Sequence, residues 1–255
     1  MKWSIQINGK HYDKENLLSI DDSEISEFLE KWGNNELYIS VKTSGSTGKP
    51  KLIHLLKSDM IASAKLTGEY FNLKNAQTAL LCLPVKYIAG KMMLVRAMIL
   101  GLDLISVKPS SNPIIDCVKS INFAAMTPMQ VNTILDQSPD KLNLIEQLII
   151  GGAPVDSILE SKLQEVKTHC FSTYGMTESI THIAAKRLNG ENKSKYFEAL
   201  PNITFQLNND DCLVINTPHL QNSIITTNDV SKIIDKEAFK WVGRLDNVVN
   251  SGGIK

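Results

Sequence analysis

The chain has 255 residues, enough to bury a substantial core as one large domain or as one domain with a smaller companion. Lys plus Arg and Asp plus Glu both number 27, so the formal net charge is zero. That balance offers no basic footprint for nucleic acid or for an anionic membrane surface. Four dispersed cysteines (Cys82, Cys117, Cys170, Cys212), with no Cys-x-x-Cys pair, predict reduced thiols in a cytoplasmic protein. The five scattered histidines suggest no zinc-type cluster. Met1-Lys2-Trp3 leads into an alternating polar stretch rather than a secretory signal. The longest apolar run, 92–102, is broken by Arg96 and too short to span a bilayer, so no membrane insertion is expected.

In chain order, residues 2–7 predict a short strand, Asn8-Gly9 a turn, and 23–31 an acidic helix. A strand over 37–41 then runs into Thr43-Ser44-Gly45-Ser46-Thr47-Gly48-Lys49-Pro50-Lys51, and 52–55 read as a second strand. Glycines bring backbone N–H groups close to a ligand, hydroxyls add donors, and two lysines add positive charge, so this loop can wrap a polyphosphate. It is not a Walker P-loop, because Gly45 and Gly48 are too close and Pro50 follows Lys49. A hydrophilic hairpin tip is the alternative reading.

Ser58-Asp59 is expected to cap a helix whose face carries Met60, Ala64, Thr67 and Phe71. Strands are expected over 79–83, 102–107, 123–126, 147–150 and 166–171. Helices are expected over 89–100, from Asn112-Pro113, from Thr127-Pro128, and over 156–165. The helix from Asn112 would turn Ile114, Ile115 and Val118 inward. This βαβα alternation calls for an α/β fold, a largely parallel sheet covered by helices on both faces. From Ile180 onward, short extended runs at 181–185, 203–207, 212–216, 224–227, 233–234 and 240–242 read as an antiparallel, β-rich subdomain or small barrel. No internal repeat or low-complexity tract interrupts the chain.

Ser172-Thr173-Tyr174-Gly175-Met176-Thr177-Glu178 lies at the carboxyl end of an expected parallel strand, the edge at which open α/β sheets bind ligands. It suits a nucleotide with its metal: Tyr174 to stack a base, Thr177 to bond a phosphate, Glu178 to hold Mg²⁺. A capped helix start would explain its Ser/Thr and Glu almost as well. Gly151-Gly152-Ala153-Pro154 would let a flat ring approach the backbone, or would serve only as a tight strand–helix turn. Asp229 could bond both ribose hydroxyls, and Arg244, in Gly243-Arg244-Leu245-Asp246, could reach a ribose or phosphate. Either could equally be surface.

The order and spacing of these five stretches resemble the adenylate-forming superfamily along most of residues 38–255. That resemblance implies ATP and Mg²⁺, a small-molecule carboxylic acid activated as its adenylate, and coenzyme A as cosubstrate. It places Ser44 to Lys51 on the β- and γ-phosphates, Tyr174 and the Gly151–Pro154 loop around adenine, Glu178 on Mg²⁺, and Asp229 and Arg244 on the ribose. Lys51, Thr177 and Glu178 are the implied catalytic residues, and Asp246 the hinge of a rotating C-terminal domain. Residues 83–97 and 124–130 are most similar to the o-succinylbenzoate–CoA ligases of that superfamily. Lys86, Tyr87 and Lys91 are then candidates for the acid's second carboxylate.

Three departures stand out. Tyr87 replaces a usual His, only 42 residues precede the glycine loop, and the sequence stops nine residues past Asp246. The expected division is a large domain over 1–243, with an α/β core at 37–179 and a β-rich subdomain at 180–243, then a hinge segment over 244–255. The family's C-terminal lid is expected to be absent and this chain alone to be impaired. Another acyl- or aryl-CoA synthetase, an acyl-AMP-forming enzyme with a different acceptor, and an ATP-binding module without full activity are the alternatives. A homodimer is left open.

Overall fold

The structure, a computed structural model, describes residues 3–42 and 52–247. The glycine loop from Thr43 to Lys51 and the final segment 248–255 lie outside the described residues.

Strand β1 (Ile5–Ile7) turns through Asn8-Gly9 into β2 (Lys10–Tyr12). Positive φ at both turn residues, 51° and 79°, gives the tight hairpin that Asn-Gly favours. Helix α1 (Ser23–Gly33) begins on Asp22, whose carboxylate accepts the N–H groups of Glu24 and Ile25, and it buries Ile25, Phe28, Leu29 and Trp32. Strands β3 (Tyr38–Lys42) and β4 (Leu52–Leu56) form a separate antiparallel ribbon, so both flanks of the glycine loop are strands as expected.

Helix α2 (Lys57–Tyr70) corrects the expected cap at Ser58-Asp59. Its N-cap is Leu56 without a side-chain cap, because the Leu37 carbonyl at the start of the ribbon accepts the Lys57 N–H at 2.8 Å. Strand β5 (Thr78–Leu81), helix α3 (Ile88–Leu100) and strand β6 (Asp103–Ser106) follow, with Gly101 ending α3 at φ 68°. The helix expected from Asn112 does not form. Ile114 is buried while Ile115 and Val118 are exposed, so the three share no face, and Asn112 Nδ2 bonds to Gln137 and Ser138 instead of capping.

Strand β7 (Ile121–Met126) leads into α4 (Pro128–Gln137) through a capping box of Thr127 and Gln130. The short α5 (Pro139–Leu142), strand β8 (Ile145–Ile150), helix α6 (Ser157–Lys162) and strand β9 (His169–Gly175) complete the alternation. Strands β9-β8-β7-β5-β6-β1 are parallel neighbours. Their alternate residues feed two cores. Ala79, Leu81, Phe123, Ala125 and Ile149 pack with α1 to α3. Leu80, Ala124, Met126, Leu148 and Ile150 pack with Val131 and Ile134 of α4 and Leu159 of α6.

Beyond β9 the chain runs antiparallel through β10 (His182–Arg187), β11 (Phe197–Ala199), β12 (Thr204–Leu207), β13 (Cys212–Asn216), β14 (Ile224–Asp235) and β15 (Ala238–Arg244). These strands stay hydrogen-bonded to the parallel ones, giving one thirteen-stranded sheet rather than a separate barrel. The runs expected at 224–227 and 233–234 are one strand, β14, bulged beside Asp229. All four cysteines are free, with Cys82, Cys170 and Cys212 buried. Among the described residues, no helix is long and apolar enough to cross a membrane.

Candidate functional site

The carboxyl ends of the neighbouring parallel strands β8 and β9 bring Gly151 against Thr173. The Thr173 hydroxyl donates to Ile150 O at 3.2 Å, and a Cβ on Gly151 would lie 2.6 Å from that hydroxyl oxygen. Gly152 follows at φ 82°, which favours glycine, and Gly152, Ala153 and Pro154 are exposed beyond the strand end. Ser172 is buried in the strand, paired with Ile150 of β8 on one side and Lys186 of β10 on the other.

Tyr174 is the centre of the arrangement. Its ring packs against Phe239 and Phe197, with centroids 5.0 and 5.9 Å away. Its hydroxyl donates to Asp229 Oδ2 at 2.6 Å. Burial, then the bond to the Asp229 carboxylate, pushes the phenol far above its usual range, so it is a donor at any physiological pH. The other Asp229 oxygen, Oδ1, accepts from the Trp241 indole N–H at 3.3 Å and lies 4.0 Å from Arg244 Nη1. Asp229 and Arg244 are register partners on β14 and β15. Each carboxylate oxygen retains a second lone pair, so Asp229 can still accept from a vicinal diol.

Arg244 donates through Nη2 to Asp246 Oδ2 at 2.7 Å. That hydrogen bond raises the guanidinium pKa and lowers the Asp246 pKa. Both groups are well exposed, so the pair contributes little to stability and can be exchanged for a ligand.

Past β9, Thr177, Glu178 and Ser179 form a single 3₁₀ turn, with Glu178 exposed and Thr177 half-buried. Gly175 has a structural duty here. A Cβ on it would collide with the Thr181 carbonyl and lie 2.5 Å from His182 Cα, so the glycine admits the returning strand. Among the described residues no group of three or more His, Cys, Asp or Glu side chains could cage a metal ion. A single exposed carboxylate suits an ion that takes most of its ligands from phosphates and water, which is how Mg²⁺ binds nucleotides.

Lys86, Tyr87 and Lys91 sit apart from this cluster, at the start of α3. Lys86 helps line a cavity of about 280 Å³ with Asp22, Glu24, Pro84 and Val85. The Lys86 ammonium lies 5.2 Å from the centroid of the exposed Tyr87 ring. Lys91 is turned back: its Nζ donates to Val85 O at 2.6 Å and sits 5.6 Å from the Phe28 ring centroid. Gly90 permits this tight bend, since a Cβ there would strike the Pro84 carbonyl.

The sequence reading missed Trp241, which only the β14–β15 pairing carries to Asp229, and Thr227, whose hydroxyl accepts the Asp229 N–H at 3.1 Å. It also saw Arg96 only as an interruption in an apolar run. That charge inside a helix was the available signal.

Known proteins now give this geometry a context. Residues 3–221 match the AMP-binding enzyme family. Over 97% of its length the chain is 26% identical to 2-succinylbenzoate–CoA ligase of Haemophilus influenzae, and over 84% it is 25% identical to 3,4-dihydroxybenzoate–[aryl-carrier protein] ligase of Bacillus anthracis. It spans little more than half of those two relatives, 57% and 52% of their lengths. An acyl-CoA synthetase (AMP-forming)/AMP-acid ligase II-like protein from Dyadobacter fermentans superposes over 100% of this chain and 73% of its own, with TM-score 0.84 and 35% identity. O-succinylbenzoate coenzyme A synthetase of Bacillus subtilis, solved with ATP and magnesium ion, shares the fold at TM-score 0.71 and 18% identity, over 84% of this chain and 51% of its own. Matched across most of its described length, the chain belongs to the AMP-binding enzyme family.

Proposed function

We propose that this chain binds ATP with Mg²⁺ and a carboxylic acid for the formation of an acyl-adenylate, which coenzyme A then converts to a thioester. The observation that carries the reading is the Tyr174–Asp229–Arg244 cluster, assembled from residues up to 70 apart in sequence beside the Glu178 turn. Tyr174 and the Gly151–Pro154 loop take the adenine, Asp229 and Arg244 the ribose, and Glu178 the Mg²⁺. Thr177 takes the α-phosphate, and Ser44, Lys49 and Lys51 of the glycine loop take the outer phosphates. The metal supplies charge neutralisation on the phosphates. The protein's part is to position the reactants and present preorganised donors, and no protein nucleophile is needed.

The acid we assign is 2-succinylbenzoate, supported by the name of the Haemophilus influenzae relative. The Lys86–Tyr87 corner beside the 280 Å³ cavity offers a cation for the spectator carboxylate. The Bacillus anthracis relative, which ligates an aryl acid to a carrier protein, keeps a second reading open, in which the acid is a hydroxybenzoate and the acceptor is not coenzyme A. Acid-dependent pyrophosphate release separates them. Release with 2-succinylbenzoate should exceed that with 3,4-dihydroxybenzoate or benzoate by about tenfold or more. Equal rates would overturn the acid assignment alone, and absence of ATP–Mg²⁺ binding by calorimetry would overturn the whole reading.

A further inference from the structure

Among the described residues Arg96 is the largest charged side chain in the interior, only 2% exposed, and none of their ion pairs involves it. Burial lowers its pKa only to about 10, so at neutral pH it carries its charge inside α3. A buried guanidinium without a carboxylate lowers stability compared with an apolar side chain of the same volume. Its hydrogen bonds show what it holds. Nε donates to Thr67 Oγ1 on α2, and Nη2 donates to Thr181 Oγ1, both at 3.3 Å. Ser63 of α2 bonds the same Thr181 hydroxyl at 2.9 Å.

Thr181 closes the turn that presents Glu178. Its N–H donates to Ser179 O at 2.8 Å, across Ile180 at φ 66° and ψ −61°. This is a γ-turn in the strained, positive-φ form, occupied by a β-branched residue that is 3% exposed. Thr181 O also lies 2.7 Å from Ser179 Oγ, which accepts the Met176 N–H at 3.0 Å. The residues 176–181 thus form one knot of hydrogen bonds around an unfavourable backbone conformation. Such conformations persist only where their surroundings over-determine them. Within the knot, the Thr181 hydroxyl is the point gripped from outside, by Arg96 and Ser63.

We infer that Arg96 is a positioning residue for the Thr177–Glu178 turn, acting through the Thr181 hydroxyl to hold the strained Ile180 turn that aims the metal-binding carboxylate. Arginine suits the task because its planar fork reaches partners on two elements at once: Thr67 on α2 and Thr181 just ahead of β10. The inference rests on the reading of Glu178 as the Mg²⁺ ligand.

The test compares the full chain with Arg96→Met, Arg96→Lys and Thr181→Val, each first checked for cooperative thermal unfolding. Calorimetry then measures AMP binding without metal and ATP binding with and without Mg²⁺. In Arg96→Met and Thr181→Val, AMP affinity should stay within about twofold, while the Mg²⁺-dependent gain in ATP affinity should fall about tenfold. Arg96→Lys should recover part of that gain, since an ammonium can still donate to Thr181. An unchanged Mg²⁺ gain in folded variants overturns the inference, as does a crystal structure of Thr181→Val in which Ile180 keeps its positive φ. Should Arg96→Met fail to fold, the near-isosteric Thr181→Val decides. If the unmodified chain shows no Mg²⁺ gain at all, or Glu178→Gln leaves that gain intact, the metal reading falls and this inference with it. A gain lost in Glu178→Gln but kept in the other variants removes only the role of Arg96.

Discussion

The Tyr174 hydroxyl and Asp229 Oδ2 are 2.6 Å apart although 55 residues separate them in the chain. This bond joins the carboxyl end of β9 to the antiparallel β14, and so ties the two halves of the sheet together. Tyr174→Phe keeps the aromatic contacts with Phe197 and Phe239 but leaves the carboxylate one donor short. A loss of about 1.5–3 kcal/mol is expected in urea denaturation, the usual worth of a hydrogen bond to a charged group. Nucleotide binding to the unmodified chain should also change Trp241 fluorescence, because its indole N–H is bonded to the same carboxylate.

Glu178→Gln should fold normally, since the side chain is exposed. With the family's C-terminal lid domain supplied, removing the carboxylate proposed for the metal should slow acid-dependent pyrophosphate release at least about a hundredfold, corresponding to about 3 kcal/mol of transition-state stabilisation. An unchanged rate would take Glu178 out of the metal role.

Gly175→Ala should be severe. The added methyl meets backbone atoms of Thr181 and His182, which no rotamer change can move, so about 1–3 kcal/mol of stability should be lost. Gly243→Ala is the comparison, with no described atom within 4 Å of the added carbon, and its effect should stay within about 0.5 kcal/mol. Equal melting temperatures for the two variants would contradict the close approach of β9 and β10.

His182 gives the fold an acid sensitivity. Burial, then the charge of Arg96, holds its imidazole well below the usual pKa, and its Nε2 has no hydrogen-bond partner among the described residues. A folded-state pKa below the unfolded value means that the unfolded chain binds the extra proton. The stability contribution is therefore complete above about pH 6.5 and declines as pH falls toward the folded pKa, by up to about 1.4 kcal/mol per pH unit. His182→Phe should flatten that part of the stability–pH curve between about pH 6.5 and 5. A curve that is already flat over that range in the unmodified chain would show that His182 protonates as readily folded as unfolded.

By itself, the sequence determined many of the local elements and pointed to the chemistry proposed for the site. Asn8-Gly9 as a turn, Thr127-Pro128 as a helix start and Gly101 as a helix end act within a few residues, so their signals survive without any fold. The segments at 123–126 and 147–150 announced strands, and their alternation with helices announced a largely parallel sheet covered on both faces. Tertiary structure decided whatever depended on partners distant in sequence. Asn112 failed to start a helix because Gln137 and Ser138 take its side chain, and α2 needed no Ser58 cap because Leu37 O was already in place. Asp229, read as either ribose ligand or surface, became a buried acceptor only when β9 and β15 delivered Tyr174 and Trp241 to it. Arg96, an interruption on paper, acquired partners on two other elements. Hydrogen bonds and desolvation act over a few ångströms of space, whatever the separation along the chain, and only the folded sheet fixes which residues lie within that reach.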